Sequence, residues 1–161
     1  TCWTASDGGA FTPAPAVCRG MTDVRELTTE AEWREAYPVM NELRPQSEET
    51  FVERMHQMYD EERYRLFAYY DDDDIVALAG VRELIVHYHG NHVWVYDLVT
   101  TESRRSEGIG AELLEWVGDW ARERGANVVE LASGLWRDEA HEFYEEKAGF
   151  ERYCLTFKRD L

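Results

Sequence analysis

The stretch from Val93 to Ala111, VWVYDLVTTESRRSEGIGA, constrains the fold more than any other part of the chain. Its first part, up to Thr100, alternates between apolar and polar residues as a half-buried strand does, and a helical pattern begins at Gly108. A strand, a basic loop and a glycine-opened helix can direct several backbone N–H groups at one phosphate. The sequence therefore predicts an anion-binding turn here, with added charge from Arg104 and Arg105.

Length and composition limit the class of protein. A chain of 161 residues with 44% hydrophobic residues is long enough for one domain with its own core. The formal net charge of −16 argues against a nucleic-acid partner, whose phosphates would be repelled. No apolar run approaches the roughly 20 residues of a membrane span, so no membrane partner is expected.

The choice of basic residue is unusual. Lys147 and Lys158 are the only lysines among 17 basic residues, and Asp and Glu number 33. This composition predicts the hydrated acidic surface of a halophilic protein; an ordinary acidic cytosolic protein is the alternative. Unfolding measured from low to multimolar KCl distinguishes them, because maximal stability at low salt would exclude salt adaptation.

The first twenty residues differ from the rest. They are rich in Gly, Ala, Pro and Thr and show no sustained period, so we interpret residues 1–20 as a non-native or flexible extension and 21–161 as a single domain. Cys2, Cys18 and Cys154 are odd in number and lack zinc spacing. Cys2 and Cys18 could pair in an oxidising compartment, but no secretory signal precedes them, and a cytoplasmic location is expected.

Periodicity predicts the order β-α-α-β-β-β-α-β-α-β. Thr29 and Glu32 form a capping box for the first helix, Pro38 predicts a kink or break in it, and Ser47 caps the second helix. A turn is predicted at 89–92. The predicted strands are 23–28, 64–70, 75–86, 93–100, 127–132 and 150–158, and the later helices are 108–124 and 138–147. The crossover between the fourth and fifth strands implies a parallel pair.

Two further motifs accompany the loop. Residues 105–110 fit the pyrophosphate-loop pattern R/Q-x-x-G-x-G/A, and about thirty residues later come AHEFY (140–144) and AGF (148–150). This combination resembles the GCN5-related N-acetyltransferase (GNAT) superfamily over nearly all of the chain from residue 21. The segment from Ser133 to Leu161 resembles the branch that contains aminoalkylphosphonate and small-amine N-acetyltransferases. Four residues separate Tyr144 from Gly149 where the family usually has three, which predicts a bulge in that helix.

The resemblance implies the α/β acyl-CoA N-acyltransferase fold: a mixed, mostly antiparallel sheet, split between the fourth and fifth strands, with helices on both faces. It implies acetyl-CoA as co-substrate, with its pyrophosphate on the loop amides and its pantetheine paired with the fourth strand. The implied cofactor-binding residues are Leu98, Val99, Thr100, Arg104, Arg105, Ser106, Glu107, Gly108, Ile109, Gly110, Ala111, Ser133 and Arg137.

The resemblance also implies catalytic residues. An alkyl amine, with a pKa of about 10.4, must lose a proton before it attacks a thioester. Asp97, one residue before the expected thioester position, is the leading candidate base, and Glu83 on the preceding strand is the second. A structural acid bonded to a loop amide is the alternative for Asp97. Tyr144 would donate a proton to the departing thiolate; its alternative is packing beside Phe143.

The acceptor is predicted less sharply. We expect a primary amine of a small molecule, with protein amino groups or a non-catalytic acyl-CoA-binding module as alternatives. The acidic surface favours cationic acceptors and the resembled branch favours zwitterionic ones. A homodimer is compatible with the sequence. For a set of aromatic and Met residues there are two interpretations, an acceptor pocket formed by the first two helices or packing in the core: Trp33, Phe51, Met55, Tyr59 and Trp136.

Histidines cluster around a predicted turn, at His87, His89 and His92, but no fourth ligand with zinc spacing accompanies them, and no metal is predicted. The cluster is expected to border the acceptor site or to cap the turn.

Overall fold

In the computed structural model, which describes residues 23–161, five strands form one sheet in the order β1-β2-β3-β4-β5. The strands are β1 (Asp23–Leu27), β2 (Tyr64–Asp71), β3 (Asp74–Val86), β4 (Gly90–Thr100) and β5 (Val128–Leu131). The helices are α1 (Glu30–Leu43), α2 (Glu48–Glu62), α3 (Ile109–Glu123) and α4 (Asp138–Glu142). Strands β1 to β4 pair antiparallel, and β4 pairs with β5 in parallel across α3, as predicted.

The helix caps are those that the sequence predicts. The Thr29 hydroxyl accepts the Glu32 N–H and the Glu32 carboxylate accepts the Thr29 N–H at 2.9 Å, which closes the capping box. The Ser47 hydroxyl accepts the Thr50 N–H at 3.2 Å. Helix α1 runs through Pro38 without ending there, so of the two predicted alternatives the break is wrong and the kink stays a prediction. Burial of Met40 and its neighbours against the sheet outweighs the one hydrogen bond that a proline removes.

Helices cover both faces of the sheet, as predicted. On one face α1 and α2 bury Trp33, Phe51 and Met55 against β2, whose Tyr64 and Leu66 are almost fully buried. On the other face α3 packs its apolar stripe, including Leu113 and Val117, against the inner strands. These two layers fix the orientation of β4, which carries the predicted site. No helix within residues 23–161 has the length and apolar run needed to cross a membrane.

The end of the chain differs from the prediction. Helix α4 has five residues and continues as a π-helical turn over Phe143–Lys147, which accommodates the extra residue before Gly149 and confirms the predicted bulge. The predicted strand at 150–158 is absent, because residues 151–161 are exposed and pair with no strand. Alternation of Tyr153, Leu155 and Phe157 gives a strand pattern, but a strand also needs a partner for its backbone.

The turn between β3 and β4 also lies earlier than predicted. It occupies residues 87–89, and β4 starts at Gly90, whose φ of +70° favours glycine. His92 therefore lies within the strand and is buried, with 2% of its surface exposed. The predicted extension at 1–20 lies outside the described residues.

Candidate active site

The centre of the site is the far half of β4. Strand β5 pairs with β4 only as far as Val95, which faces Leu131. Strand β4 continues to Thr100, and among residues 23–161 only β3 pairs with this last part of it. The split between β4 and β5 is therefore present, and the β5-facing edge of residues 96–100 has backbone groups without a strand partner. We call residues 96–100 the open half of β4 and residues 92–95 its closed half.

A cleft lies at this split, between the open half of β4 and the segment that follows β5. Tyr144 and Arg137 approach it from the α4 region, and Arg44 approaches it from the end of α1. Its lining residues are Leu43, Arg44, Val95, Tyr96, Leu98, Leu131, Ala132, Arg137 and Tyr144. A β-strand-like ligand could pair with the open half of β4 and reach Tyr144 here.

The loop before α3 has the geometry of an anion site. Ser106 and Gly108 adopt left-handed conformations, with φ of +68° and +89°. Within residues 23–161, no acceptor pairs with the backbone N–H groups of residues 106–110. They precede or open the fifteen-residue helix α3, whose dipole favours an anion at this end. The Ala111 N–H, by contrast, donates to the Gly108 carbonyl at 3.0 Å.

The two loop arginines are neutralised by acids. Arg104 contacts Asp71 and Glu107. Arg105 donates to the Thr100 carbonyl at 3.2 Å and lies 3.3 Å from Glu42. Backbone N–H groups are therefore better placed than these guanidinium groups to supply the attraction for an anion. The cofactor-binding roles of Arg104 and Arg105 stay predictions.

Tyr144 lies on the π-helical turn and faces the cleft. Its ring packs at 5.2 Å from that of Phe143 and at 6.1 Å from that of Phe150, centroid to centroid. Burial raises the pKa of the Tyr144 phenol above its ordinary value, and the nearby Arg137 acts in the opposite direction. The phenol therefore holds its proton at neutral pH and can donate it.

Asp97 is aimed by a bulge in β4. Gly80 faces Asp97 and Val81 faces Val95, so Tyr96 is the extra residue. The Asp97 carboxylate accepts the Arg44 Nε–H at 2.9 Å and the Tyr64 hydroxyl at 2.8 Å, and its side chain is 12% exposed. It is thus both ion-paired and hydrogen-bonded.

Tyr64 reaches Asp97 through space that a glycine leaves free. A Cβ at Gly80 would lie 1.6 Å from the Tyr64 hydroxyl oxygen, which is closer than atoms can approach. Burial, followed by the charge of Asp97, raises the pKa of Tyr64 well above its ordinary value. Tyr64 therefore remains a hydrogen-bond donor to Asp97.

Beside Asp97 lies a cavity of about 210 Å³ between α1, α2, β2 and β4. We call it the acceptor cavity, after the role that we propose for it below. Its lining residues are Met40, Arg44, Gln46, Phe51, Arg54, Met55, Met58, Tyr64 and Asp97. Phe51 and Met55 belong both to the core and to the cavity wall, and their role in binding an acceptor stays a prediction. Trp33 and Tyr59 pack in the core, whereas Trp136 is 84% exposed.

Other predicted residues lie apart from the acceptor cavity. Glu83 forms an ion pair with Arg124 at 3.0 Å, beyond the end of α3, and lines neither the cleft nor the cavity. Ser133, after β5, has a buried hydroxyl that forms no hydrogen bond with any other residue in the range 23–161. His89 and His92 both contact Glu130, at 3.2 and 3.4 Å. Neither histidine is among the residues that line the acceptor cavity. Residues 23–161 contain no His, Cys, Asp or Glu group suited to hold a metal ion.

Sequence reasoning missed four polar residues of the acceptor cavity. Tyr64 has the pattern of a core strand residue, Arg44 and Gln46 belong to an apparent connector, and Arg54 lies on the polar side of α2. Tyr64 lies 33 positions and Arg44 lies 53 positions before Asp97. No local pattern relates residues at such separations.

The sequence of this chain is similar to those of known proteins. The family model described as Acetyltransferase (GNAT) family matches residues 28–150. The chain belongs to the GNAT acetyltransferase family. It is 41% identical over 142 residues to an uncharacterized N-acetyltransferase, YhdJ, of Bacillus subtilis strain 168, covering 88% of this chain and all of that protein. The fold and the enzyme class, an N-acetyltransferase, follow from these matches.

Two further known proteins are similar to this chain. An aminoalkylphosphonate N-acetyltransferase of Salmonella typhimurium strain LT2 is 34% identical over 88 residues, covering 52% of this chain and 56% of that protein. The likeness to this branch is therefore partial. A crystal structure of aminoglycoside N-acetyltransferase AAC(6')-Iy in complex with CoA superposes with a TM-score of 0.75 and 16% identity, covering 89% of this chain and 98% of that one. At this identity the likeness concerns the fold.

GNAT enzymes use acetyl-CoA, and the site's chemistry fits such a ligand. Unpaired N–H groups at residues 106–110 suit a pyrophosphate, and the open half of β4 suits the amides of a pantetheine arm. Gly110 keeps the start of α3 close to neighbouring side chains, since a Cβ there would lie 3.4 Å from Phe143 and from Thr100.

Proposed function

We propose that this GNAT enzyme transfers the acetyl group of acetyl-CoA to a primary amine of a small molecule by direct attack on the thioester. The observation that carries the proposal is that the cleft with Tyr144 and the acceptor cavity with Asp97 share Arg44 as a wall. An amine in the cavity and a thioester in the cleft would then meet at the open half of β4. Proximity of this kind removes much of the entropic barrier to a two-substrate reaction.

Acetyl-CoA, when bound, supplies the acetyl group as an activated thioester. In the proposed arrangement the N–H groups of residues 106–110 bind its pyrophosphate, while Arg137 in the cleft lining and Ser133, next to the lining residue Ala132, contact other parts of the cofactor. The backbone of residues 98–100 pairs with its pantetheine arm. A backbone N–H near Leu98 or Val99 donates to the oxygen on which negative charge develops during attack.

Asp97 is the proposed proton acceptor. An ionised carboxylate has about four lone-pair positions, and Arg44 and Tyr64 occupy one on each oxygen. Asp97 can therefore still accept an N–H of the incoming ammonium and take its proton directly or through one water. Glu83 is the weaker candidate, since its ion pair with Arg124 lies outside both the cleft and the cavity.

Tyr144 is the proposed acid. It lines the cleft, and burial keeps its phenol protonated at neutral pH. It would donate that proton to the CoA thiolate as the thioester bond breaks, so that the thiol leaves in its neutral form.

The test is release of free CoA thiol from acetyl-CoA across a panel of small amines, polyamines, aminoglycosides and lysine-containing peptides. Acetylation of small amines by the full chain, verified by mass spectrometry of the product, supports the proposal. Transfer confined to peptides would show a protein acetyltransferase instead. Acetyl-CoA binding without thiol release to any acceptor would show a non-catalytic binding module.

Two other predictions accompany this proposal. Size-exclusion chromatography with light scattering tests the homodimer, and cell fractionation tests the cytoplasmic location. The salt-adapted surface also stays a prediction. Among the described residues, carboxylates pair with many arginines, which agrees with an acidic chain of any origin.

A further inference from the structure

The acceptor cavity is richer in positive charge than the chain around it. Arg44 and Arg54 line it together with a single carboxylate, that of Asp97. Two positive charges and one negative charge give a local balance of +1, within a chain whose formal net charge is −16. Such a local reversal of sign in a cavity indicates a ligand that itself carries negative charge.

Arg54 supplies the unmatched charge. Its guanidinium Nη1–H donates to the Gln46 amide oxygen at 2.7 Å, and no carboxylate within residues 23–161 forms an ion pair with it. By contrast, Arg34 pairs with Glu30 and Glu48, and Arg65 pairs with Glu26. An amide oxygen orients a guanidinium without neutralising it, so Arg54 keeps donors available for an anion.

Gln46 is itself held firmly. Its backbone N–H donates to the Asn41 side-chain oxygen at 2.9 Å, and its carbonyl accepts the Tyr37 hydroxyl at 2.7 Å. The side-chain oxygen that directs Arg54 therefore extends from a fixed backbone. This support resembles the way in which binding sites preorganise a charged side chain before the ligand arrives.

The other two charged groups in the cavity lining are Arg44 and Asp97, which form an ion pair. Arg44 is already paired with this carboxylate, so Arg54 is left as the unpaired cation of the cavity. Asp97 offers a position for an ammonium, and Arg54 offers a position for an anion. Between them the wall is apolar, formed by Met40, Phe51, Met55 and Met58, and suits a short hydrocarbon linker.

Size points in the same direction. The cavity volume of about 210 Å³ equals roughly seven waters at about 30 Å³ each, which suits a small acceptor. An aminoglycoside would extend well outside it. A polyamine would bring a second positive charge towards Arg54, which would disfavour its binding.

We infer that the acceptor is a small zwitterion, a primary amine that carries a carboxylate, phosphonate or phosphate group a few bonds away, with Arg54 binding the anion and Asp97 receiving the amine. This inference rests on the proposed function. It resolves the conflict between cationic and zwitterionic acceptors in favour of the zwitterion, on the charge of the cavity rather than that of the whole surface.

The experiment compares matched amines that differ in the anion. Initial rates of thiol release are measured for 2-aminoethylphosphonate, O-phosphoethanolamine and β-alanine against propylamine and 1,4-diaminobutane. We expect at least one of the anionic amines to exceed both anion-free amines in kcat/KM by more than tenfold. Which of the three does so distinguishes a phosphonate, a phosphate and a carboxylate. Equal or higher kcat/KM for the anion-free amines would overturn the inference while leaving the proposed function intact.

Variants of Arg54 assign the anion to this side chain. Removing a hydrogen bond to a charged group lowers affinity by about 10- to 100-fold. Arg54→Gln should therefore raise KM for the preferred anionic amine by that factor with little change in kcat, and Arg54→Lys should restore part of the loss. Arg122→Gln, at an exposed arginine on α3, is the matched control and should leave KM unchanged. An unchanged KM in Arg54→Gln would contradict the inference.

A binding measurement separates this inference from the proposed function. Isothermal titration of the same amines into the wild-type chain and Arg54→Gln needs no turnover. Arg54-dependent binding without any acetylation would refute the proposed function but keep the acceptor assignment. Acetylation of anion-free amines together with no binding of anionic amines would support the proposed function and refute the acceptor assignment.

Discussion

The two halves of β4 use the same backbone differently. The closed half has β3 on one side and β5 on the other, so its N–H and C=O groups pair with neighbouring strands. The open half has only β3, and its other edge faces the cleft with Tyr144. One continuous strand thus changes after Val95, at the bulge that contains Tyr96, from two paired edges to one.

The polar side chains follow the same division. In the closed half, His92 is buried against Glu130 and lines neither the cleft nor the acceptor cavity. In the open half, Asp97 lines the acceptor cavity and is held by Arg44 and Tyr64. The difference indicates that a sheet can keep an edge without a strand partner where a ligand can pair with that edge. Two predictions test the open half of β4, a third tests the loop before α3, and a fourth at a distant helix cap serves as a reference; they follow in order of decreasing effect.

The largest effect is expected from Gly80→Ala. The new Cβ must displace the Tyr64 ring, which breaks the bond to Asp97 and overpacks the core. We expect a loss of about 3 kcal/mol in the free energy of unfolding, measured by urea denaturation, and a large fall in kcat/KM. Gly118→Ala on α3 is the control: nothing lies within 4 Å of its added Cβ, so it should gain about 0.5–1 kcal/mol. Equal stability of the two variants would contradict the packing argument.

Tyr144→Phe probes the chemistry at the open half. Loss of the proposed acid should lower kcat by about 100-fold while the dissociation constant for acetyl-CoA changes little. Because burial raises the pKa of Tyr144, its acidic form persists beyond its ordinary value of 10.0, and the wild-type rate should not fall through this group below that pH. Tyr88→Phe, at a tyrosine with 69% exposure, serves as the control. An unchanged kcat in Tyr144→Phe would exclude the acid role.

Gly108→Ala separates anion binding from backbone strain. A side chain in the left-handed conformation costs about 1–2 kcal/mol, and Gly108 and Gly125 both adopt it, at opposite ends of α3. Both Ala variants should lose comparable stability. Only Gly108→Ala should also weaken acetyl-CoA binding, by about tenfold, when measured by titration calorimetry. Equal affinity in the two variants would place the pyrophosphate elsewhere.

Glu32→Gln gives the smallest effect and acts far from β4. Backbone N–H groups of Thr28 and Thr29 lower the pKa of Glu32 in the folded chain below its ordinary 4.5. A lowered folded pKa means that the ionised cap stabilises the fold above pH 4.5 and that this contribution disappears as pH falls through the folded value. We expect a loss of about 0.5–1 kcal/mol at pH 7 and a smaller difference from wild type at pH 3.

Glu53→Gln, at an exposed position of α2 outside the capping box, is the matched control for Glu32→Gln. It should change stability little at either pH. Acetyl-CoA affinity should be the same in both variants. A stability difference for Glu32→Gln that persists at pH 3 would show that the carboxylate charge is not the stabilising feature.

Local signals predicted much of the fold. Caps at Thr29 and Ser47 depend on residues within four positions, and the glycine-opened helix depends on one loop. The bulge after Tyr144 came from counting one inserted residue. Such features are determined by neighbours in the chain, which a sequence displays directly.

Features that depend on distant partners were less accessible. Residues 150–158 alternate as a strand does, but none of the five described strands pairs with them. The polar wall of the acceptor cavity joins α1, α2, β2 and β4, and its charge balance depends on which arginines meet a carboxylate. Alternation and helical spacing predict which face of a strand or helix is buried. They do not predict which distant residue forms an ion pair or a hydrogen bond with an arginine.

Glu42, near the end of α1, has a consequence for how the two substrates influence each other. Its carboxylate accepts the Thr101 hydroxyl at 2.6 Å and the Glu102 N–H at 2.9 Å, and it contacts Arg105. Helix α1 also supplies Met40 to the acceptor cavity, with Arg44 next to its end. The Glu42 side chain therefore connects the loop that precedes α3 to the helix that supplies Met40 to the acceptor cavity. If acetyl-CoA changes acceptor affinity through Glu42, thermodynamic linkage requires the acceptor to change acetyl-CoA affinity by the same factor.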